Sequence, residues 1–416
     1  MSLIRAFRGL RPAVGQAGAI AAPPYDVLSS DEARRIVHGG AAGKPWSFLH
    51  ISKPEIDLPR EIDPYAPSVY AKAAENLQKM LAAGVLIRDE TPCYYAYRLT
   101  MPGESGDHVQ TGLVAAASVA DYDSNRIRKH EFTRPDKEDD RVRQIEALNA
   151  QTGPVLLAYP ASAAADSLVD GIAQGAPAAD VTAEDGIRHQ IWVLTDPAQI
   201  DAITQTFDGM NALYIADGHH RSAAASRVAA ARHQKGHESS ADSFLAVIFP
   251  HHQMKILDYN RVVKDLHGMD AATLIKRIGT AFCVEESAQR VHPAGPGEFG
   301  MYLAGHWYRL AIKPEMIPDD PVGSLDVSLL SDHLLGPLLG IADLRRDKRI
   351  DFVGGIRGLA ELERRVDSGE MAVAFALHPT RMDQLMAVAD SNEVMPPKST
   401  WFEPKLADGL VSHVLD

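Results

Sequence analysis

The stretch that decides the fold runs from Leu213 to Phe249 and reads LYIADGHHRSAAASRVAAARHQKGHESSADSFLAVIF. Two short apolar runs flank an Ala-rich segment at 222–233, which has the length and composition of a helix. The second run, FLAVIF, is continuously apolar, which is typical of a strand covered on both faces. The stretch therefore predicts a β-α-β unit.

The same alternation extends outward from this unit. Further strands are predicted at 94–99, 113–119, 155–159, 191–194, 350–354 and 372–377, with a hairpin around Gly305. Helices are predicted after Ser29, which forms a capping box with Glu32, and at 69–82, 326–335, 358–366 and the C-terminus. Segments 160–185 and 286–300 indicate loops or lobe boundaries. We expect a mixed α/β (α+β) fold with two lobes, 1–285 and 286–416.

Composition narrows the class of protein. The 416 residues carry a formal charge of −13, which argues against a protein that coats nucleic acid or an anionic membrane. Cys93 and Cys283 are far apart and have no ligand spacing, so neither a disulfide framework nor a structural zinc site is expected. The N-terminus lacks a signal-peptide pattern, and no apolar run approaches the length of a membrane span. We expect a cytoplasmic protein without nucleic-acid or membrane partners.

The sharpest local signal lies at 217–222, between the predicted strand and the Ala-rich helix. The first N–H groups of a helix have no partner within it and attract anions. Asp217 can cap the helix and Gly218 removes side-chain bulk, so an anion cradle is predicted. Its phosphate-binding residues are Asp217, Gly218, His219, His220, Arg221 and Ser222. An ordinary helix cap is the alternative, and a metal held by adjacent histidines is disfavoured because they diverge by about 100° on a helix.

A second signal is the charge run KHEFTRPDKEDDR at 129–141. Glu131 offers a general base or a Mg²⁺ ligand, while Arg134 and Lys137 can hold phosphate oxygens. The alternative is a solvated helix start capped by Asp136.

Two proline-bounded segments present further polar groups. Pro23-Pro24-Tyr25-Asp26 is a stiff turn that offers a phenol and a carboxylate for substrate binding, although an Asp that bonds within its own turn is the common case. The segment VMPPKSTWFEPK presents Lys398, Ser399 and Lys405 from a rigid backbone and predicts further phosphate contacts. The alternative is a strap that covers a core.

Five motifs in order carry a resemblance to a known family: APPYDVLS (22–29), KHEFTRPDKEDDR, YIADGHHRSAAA (214–225), DYNRVVKDL (258–266) and MPPKSTWFEPKLADGL (395–410). With them the sequence resembles a prokaryotic family catalogued as domain of unknown function 1015. The DGHHR element is similar to that of SerK-type free serine kinases of the ParB/sulfiredoxin-like superfamily.

The resemblance implies a small-molecule phosphotransferase. It would phosphorylate the hydroxyl of free L-serine to O-phospho-L-serine, using pyrophosphate or a nucleotide (ADP or ATP) and Mg²⁺. Residues 217–221 would hold the donor phosphates, and His220 would also serve catalysis. A glutamate is the base in SerK-type enzymes; Glu131 and Asp26 are both candidates here, and Tyr25 would contact substrate. The alternative is a ParB-like nucleotide-binding regulatory or scaffold protein without kinase activity. A homodimer is the default expectation.

Overall fold

The computed structural model describes residues 2–40, 43–103, 106–234 and 240–416. Its contacts divide the chain into two compact units, Met1–Met254 with Pro404–Asp416, and Lys255–Glu403. The predicted boundary at 285/286 falls inside the strand Phe282–Ser287, which pairs over its whole length with a neighbouring strand. The division lies instead at Met254 and Lys255, and the last residues of the chain return to the first unit.

The strands are numbered in chain order. They are β1 (Ile4–Arg5), β2 (Gly9–Pro12), β3 (Leu86–Arg88), β4 (Tyr94–Met101), β5 (His108–Ser118), β6 (Ile127–Arg128), β7 (Ala150–Gln151), β8 (Val155–Tyr159), β9 (Ala179–Thr182), β10 (Arg188–Leu194), β11 (Leu213–Asp217), β12 (Ser243–Pro250), β13 (Lys255–Leu257), β14 (Tyr259–Val263), β15 (Phe282–Ser287), β16 (Glu298–Leu303), β17 (His306–Ile312), β18 (Ile350–Gly354), β19 (Val373–Leu377), β20 (Trp401–Glu403) and β21 (Ser412–Val414).

The α-helices are numbered in the same way. They are α1 (Ala17–Ile20), α2 (Ser30–His38), α3 (Leu49–Ser52), α4 (Pro67–Ala82), α5 (Val119–Asp123), α6 (Pro135–Leu148), α7 (Ala163–Ile172), α8 (Pro197–Asp208), α9 (His219–Gln234), α10 (Ala271–Ile278), α11 (Asp326–Leu330), α12 (Leu359–Asp367) and α13 (Met382–Asp390). The expected mixed α/β class is confirmed.

The first unit is built on a large sheet with the order β6-β11-β8-β12-β5-β4-β10-β9, and β1 pairs with β5. Every residue of β12 is buried, as its continuous apolar run predicted. Alternate residues of β5 and β12, among them Ala115, Ala117, Phe244 and Ala246, share one core with Ala225 of α9. A smaller sheet, β3-β2-β21-β7, includes the returning C-terminal segment.

The strand–helix–strand element around α9 is present, but it is not a parallel crossover. Strand β8 lies between β11 and β12, antiparallel to β11 and parallel to β12. The two strands that flank α9 therefore run in opposite directions. The helix packs against α6 and β12, so its N-terminus lies at the sheet edge where β11 ends.

Most predicted helices are confirmed, with local physical reasons. In α2 the Ser29 Oγ accepts the N–H of Glu32 at 3.2 Å, and the Glu32 carboxylate accepts the N–H of Ser29 at 2.8 Å. The Leu-rich helix at 326–335 consists of α11 followed by a π-helical turn, Ser331–Leu335.

Two predictions of secondary structure were wrong. Segment 160–185 contains α7, which Ser162 caps, and strand β9, so it is not a loop. The short helix expected at the C-terminus is instead strand β21, whose residues pair with β2 and β7. Strand β21 depends on partners distant in the sequence, which a local pattern does not reveal. Strand β9 pairs with the adjacent β10, but its four residues ADVT include only one buried position and give a weak strand signal.

The second unit has a six-stranded sheet, β15-β17-β16-β19-β14-β18, and a separate pair, β13-β20. The predicted hairpin around Gly305 is formed by β16 and β17. The core of the second unit includes Val263, Phe299, Leu330, Leu334 and Phe375. Within the described ranges of the whole chain, no helix has both the length and the apolar character needed to cross a bilayer.

Candidate functional site

The site is organised by the sharp turn between β11 and α9. Gly218 has a φ of +98°, and a Cβ there would lie 3.0 Å from Arg221 Nε and 3.3 Å from Val155 Cα. Both facts require glycine at this position. The N–H groups of Arg221 and Ser222 donate to the Gly218 carbonyl at 2.9 and 3.1 Å. These bonds close the first turn of α9 at Gly218, and helix geometry leaves the preceding N–H groups of His219 and His220 without an intrahelical partner.

Arg221 connects three segments of the first unit. Its guanidinium donates to the Pro154 carbonyl, and its Nη2 lies 3.8 Å from carboxylate oxygens of both Asp26 and Asp217. The side chain is only 11% exposed. Burial opposes its positive charge, but the two carboxylates outweigh burial, so the pKa of Arg221 is raised. The Arg therefore stays charged and joins the Pro-Pro turn to the end of β11.

Asp217 has a second cationic neighbour. Lys405 Nζ lies 3.6 Å from its Oδ2. Burial would raise the pKa of Asp217, but Lys405 and Arg221 outweigh it, and the pKa is lowered. Four charged side chains, Asp26, Asp217, Arg221 and Lys405, thus meet beside the N-terminus of α9.

His219 is buried rather than facing outward as the sequence suggested. Its Nε2 accepts the N–H of His130 at 3.4 Å, and its Nδ1 lies 3.5 Å from a carboxylate oxygen of Glu131. Burial, reinforced by the ring of His130 and other positive neighbours, holds the pKa of His219 well below its usual value. Because Nε2 accepts a hydrogen bond, the single proton of the neutral ring sits on Nδ1 and faces Glu131.

His220 also accepts a backbone N–H group through its ring. Its Nε2 accepts the N–H of Arg134 at 3.1 Å. The adjacent histidines therefore hold two backbone N–H groups of the 130–134 loop against the start of α9. Since both Nε2 atoms are occupied in this way, the His pair is not arranged as a metal site.

The other cations of the charge run contact partners at the surface. The Arg134 guanidinium pairs with Asp136 at 2.8 Å, and Lys137 Nζ donates to the Tyr65 hydroxyl at 2.9 Å. Helix α6 begins at Pro135 with Arg134 as its N-cap residue, so the cap by Asp136, which was the alternative for this segment, is wrong.

Two predicted contacts belong to the second unit. Lys398, whose φ is +61°, accepts a hydrogen bond at its carbonyl from Arg261 at 2.9 Å. Ser399 is buried, and its Oγ donates to the Pro396 carbonyl at 2.5 Å. Ser222, in the first unit, is also buried, and its Oγ donates to the His219 carbonyl at 3.0 Å. The hydroxyls of Ser399 and Ser222 thus serve the local backbone.

Sequence reasoning missed two residues beside the Pro-Pro turn. Arg141 stacks on the Tyr25 ring, with 4.0 Å between guanidinium carbon and ring centroid. Asp408 exchanges two backbone hydrogen bonds with Ala22, and its carboxyl is fully enclosed. Burial raises the pKa of Asp408 to about 7, against the opposing effect of Arg221. The available signal was its position three residues after Lys405 in the C-terminal motif.

A sequence model of the family described as "Protein of unknown function (DUF1015)" matches residues 4–328. The chain belongs to this family. No curated protein matches the chain.

Solved structures of similar proteins include a conserved hypothetical protein from Pyrococcus furiosus, with 17% identity, a TM-score of 0.33, and coverage of 71% of this chain and 94% of that one. A free serine kinase in complex with AMP has 14% identity, a TM-score of 0.35, and coverage of 72% and 92%. SbnI with a C-terminal truncation, from Staphylococcus aureus, has 11% identity, a TM-score of 0.29, and coverage of 73% and 82%.

The donor set at the turn is compatible with Mg²⁺. No group of three or more His, Cys, Asp or Glu side chains suited to a metal occurs among the described residues. Magnesium sites for phosphate substrates, however, need only one or two carboxylates, because phosphate oxygens and water complete the shell. Asp217, at the mouth of the turn, supplies such a carboxylate.

Proposed function

We propose that this protein transfers a phosphoryl group to the hydroxyl of free L-serine, with pyrophosphate or a nucleotide (ADP or ATP) as donor. The observation that carries the proposal is the convergence of Arg221, Lys405, Asp26 and Asp217 on the N-terminus of α9. Phosphoryl transfer needs positive charge around the transferred oxygens and a carboxylate near the attacking hydroxyl, and this cluster has both.

The donor phosphates would lie against the start of α9. A helix N-terminus carries roughly half a positive charge and offers unpaired N–H donors. Arg221 and Lys405 add two full charges. Mg²⁺ held by Asp217 would neutralise charge on the phosphate oxygens. The motif 217–221, whose sharp turn is permitted by Gly218 and held by N–H bonds to the Gly218 carbonyl, is thus suited to orient a phosphate chain.

Asp26 is our choice of general base. Its carboxylate is 42% exposed and faces Arg221, on the side of the Pro-Pro turn. In the proposed step the serine oxygen attacks the terminal phosphorus, and the serine proton moves to Asp26. The bond from phosphorus to the bridging oxygen breaks, and phosphate, AMP or ADP leaves according to whether the donor is pyrophosphate, ADP or ATP. Glu131 instead faces the protonated Nδ1 of buried His219, which suits a role in positioning the 130–134 loop.

The test is a donor panel. Purified protein with Mg²⁺ and L-serine receives pyrophosphate, ADP or ATP, and O-phosphoserine is measured by mass spectrometry. Product with at least one donor is the expected result. Absence of product with all three, from protein shown to be folded, would overturn the proposal, and nucleotide binding without turnover would favour the regulatory alternative.

Two conservative variants test the assignment of the base. Asp26→Asn is expected to lower kcat by roughly 10²–10⁴-fold, the usual contribution of general base catalysis. Glu131→Gln, the matched control, should have a much smaller effect on kcat. If Glu131→Gln abolishes turnover while Asp26→Asn does not, the base is Glu131.

A further inference from the structure

A small cavity lies beside the charged cluster, within the first unit. Its volume is about 30 Å³, and its lining includes Tyr25, Ser52, Arg141, Thr152, Arg221 and Asp408. A single water needs about 10–15 Å³ on this measure. The cavity therefore has room for a small head group and its attached carbon, and excludes a phosphate chain or a nucleotide base.

Two polar atoms in this lining lack partners. Within the described part of the chain, Ser52 Oγ and Asp408 Oδ2 are buried and make no hydrogen bond. Their residues are only 6% and 2% exposed. Buried polar atoms in folded proteins almost always have a partner, so two such atoms lining one cavity indicate a ligand or water that binds there.

The charges around the cavity favour a cation. Arg221 is surrounded by the carboxylates of Asp26, Asp217 and Asp408, and Lys405 adds one positive charge beside Asp217. Asp26 and Asp217 balance Arg221 and Lys405, so Asp408 supplies the one further negative charge when it is ionised beside a bound cation. Arg141 does not change the balance because it pairs with Asp140 at 2.6 Å.

We propose that this cavity binds the ammonium group of a primary-amine acceptor between Asp408 and Ser52. An ammonium has three N–H donors and no acceptor, so it can donate to both orphaned oxygens and neutralise the ionised carboxylate of Asp408. The inference rests on the proposed function and deepens it: the acceptor is an amino acid, and its amine distinguishes it from a hydroxy acid.

The position of the cavity agrees with such a role. Arg221 lines the cavity, and its Nε also lies 3.0 Å from the position of a Cβ on Gly218. An acceptor whose amine occupied the cavity would therefore lie next to the phosphates of the donor at the start of α9. Asp408 comes from the C-terminal segment, so this selectivity depends on the last residues of the chain.

The experiment compares two acceptors that differ only in the amine, L-serine and 3-hydroxypropanoate. For Asp408→Asn, KM for L-serine is expected to rise at least tenfold, while the donor KM and the KM for 3-hydroxypropanoate stay unchanged. Ser52→Ala should give the same selective change, smaller in size, and serves if Asp408→Asn does not fold. An unchanged preference for serine, or an equal rise of KM for both acceptors, would overturn the proposal.

Calorimetry separates this inference from the proposed function. If no donor supports turnover, but L-serine binds the wild type and binds Asp408→Asn at least tenfold more weakly, the kinase proposal fails and the amine site stands. If turnover occurs and the variants keep wild-type selectivity, the amine site fails alone. If L-serine and 3-hydroxypropanoate bind equally, the cavity holds only water.

Discussion

The side chains of the two adjacent histidines at the start of α9 accept hydrogen bonds from backbone N–H groups. His219 and His220 each receive one N–H from the 130–134 loop through Nε2. A sequence pattern of His-His-Arg suggests three outward donors, whereas burial turns the first ring inward. The charged character of the site consequently comes from Arg221 and from Lys405 nearly 200 residues away in the chain.

The backbone conformation of Gly218 predicts that a side chain at this position destabilises the fold. Gly218→Ala should lower the free energy of unfolding by about 1–3 kcal/mol, because a positive φ and contact with the Arg221 side chain both oppose a Cβ. Denaturant unfolding measures the change. The control is Gly171→Ala near the end of α7, where a Cβ meets nothing within 4 Å; it should be neutral or stabilising. Equal losses of unfolding free energy in both variants would contradict a specific need for glycine at position 218.

Buried His189 gives a pH prediction. Its Nδ1 accepts the Tyr97 hydroxyl at 2.7 Å, and burial lowers the pKa of His189 to about 4. The unfolded chain takes up this proton near pH 6.5, so folding stability is complete above that pH and falls between about pH 6.5 and 4. The loss from this group amounts to roughly 3 kcal/mol at most.

The corresponding variant is His189→Gln, which keeps an acceptor for Tyr97 and cannot titrate. Its unfolding free energy should fall less steeply between pH 7 and pH 4 than that of the wild type. Val14→Ala, at an exposed site without a titratable group, should leave the slope unchanged. A slope of His189→Gln equal to that of the wild type would show that His189 does not contribute to this loss of stability.

Local sequence patterns predicted the bounds of individual helices and strands. Strand β8 matches its predicted bounds, and α4 begins two residues early and ends where predicted. Strand β21 was missed because its partner β2 lies at the other end of the sequence. Strand β9 pairs with the adjacent β10 and was missed because its four residues, ADVT, are short and mostly not buried. The direction of β12 relative to β11 depends on the insertion of β8 between them, which no stretch of sequence around α9 reports. For the same reason the burial of Asp408 could not be predicted.

The C-terminal segment is joined to the helical layer through Leu415. This fully buried side chain shares a cluster with Ile145 of α6 and Val228 of α9. Leu415→Ala should destabilise the first unit by about 2–5 kcal/mol, through lost burial and a residual cavity. Thermal and denaturant unfolding check this value, with exposed Val14→Ala as a control expected to change little. A loss below about 0.5 kcal/mol would show that the segment is not part of the folded core.

On the scale of the whole molecule, the second unit is an insertion. The chain enters it through β13 and leaves it through β20, and these strands pair directly, with Lys255 opposite Glu403 and Leu257 opposite Trp401. Composition and local pattern indicated two lobes but placed the boundary in a Pro- and Gly-rich loop. That loop, between β15 and β16, connects strands of one sheet.

The paired entry and exit strands make the insertion removable. Replacing 255–403 by a short Gly/Ser linker should leave a first unit that folds, because Met254 and Pro404 flank a two-stranded stem whose ends are adjacent. Circular dichroism and a cooperative thermal transition would check this. An unfolded product, alongside a folded full-length control, would contradict the view of the second unit as an independent insertion.

The return of β21 to the first unit also affects biosynthesis. Strand β21 completes the sheet β3-β2-β21-β7, and Asp408 bridges to Ala22. A growing chain therefore cannot finish its first unit when residue 254 leaves the ribosome. At roughly 5–20 residues per second, the nascent first unit waits on the order of ten seconds or more for its final strand. During that interval β7 and the edge of β2 that faces away from β3 lack the strand that will pair with them, so both are open to pairing with other chains until translation ends.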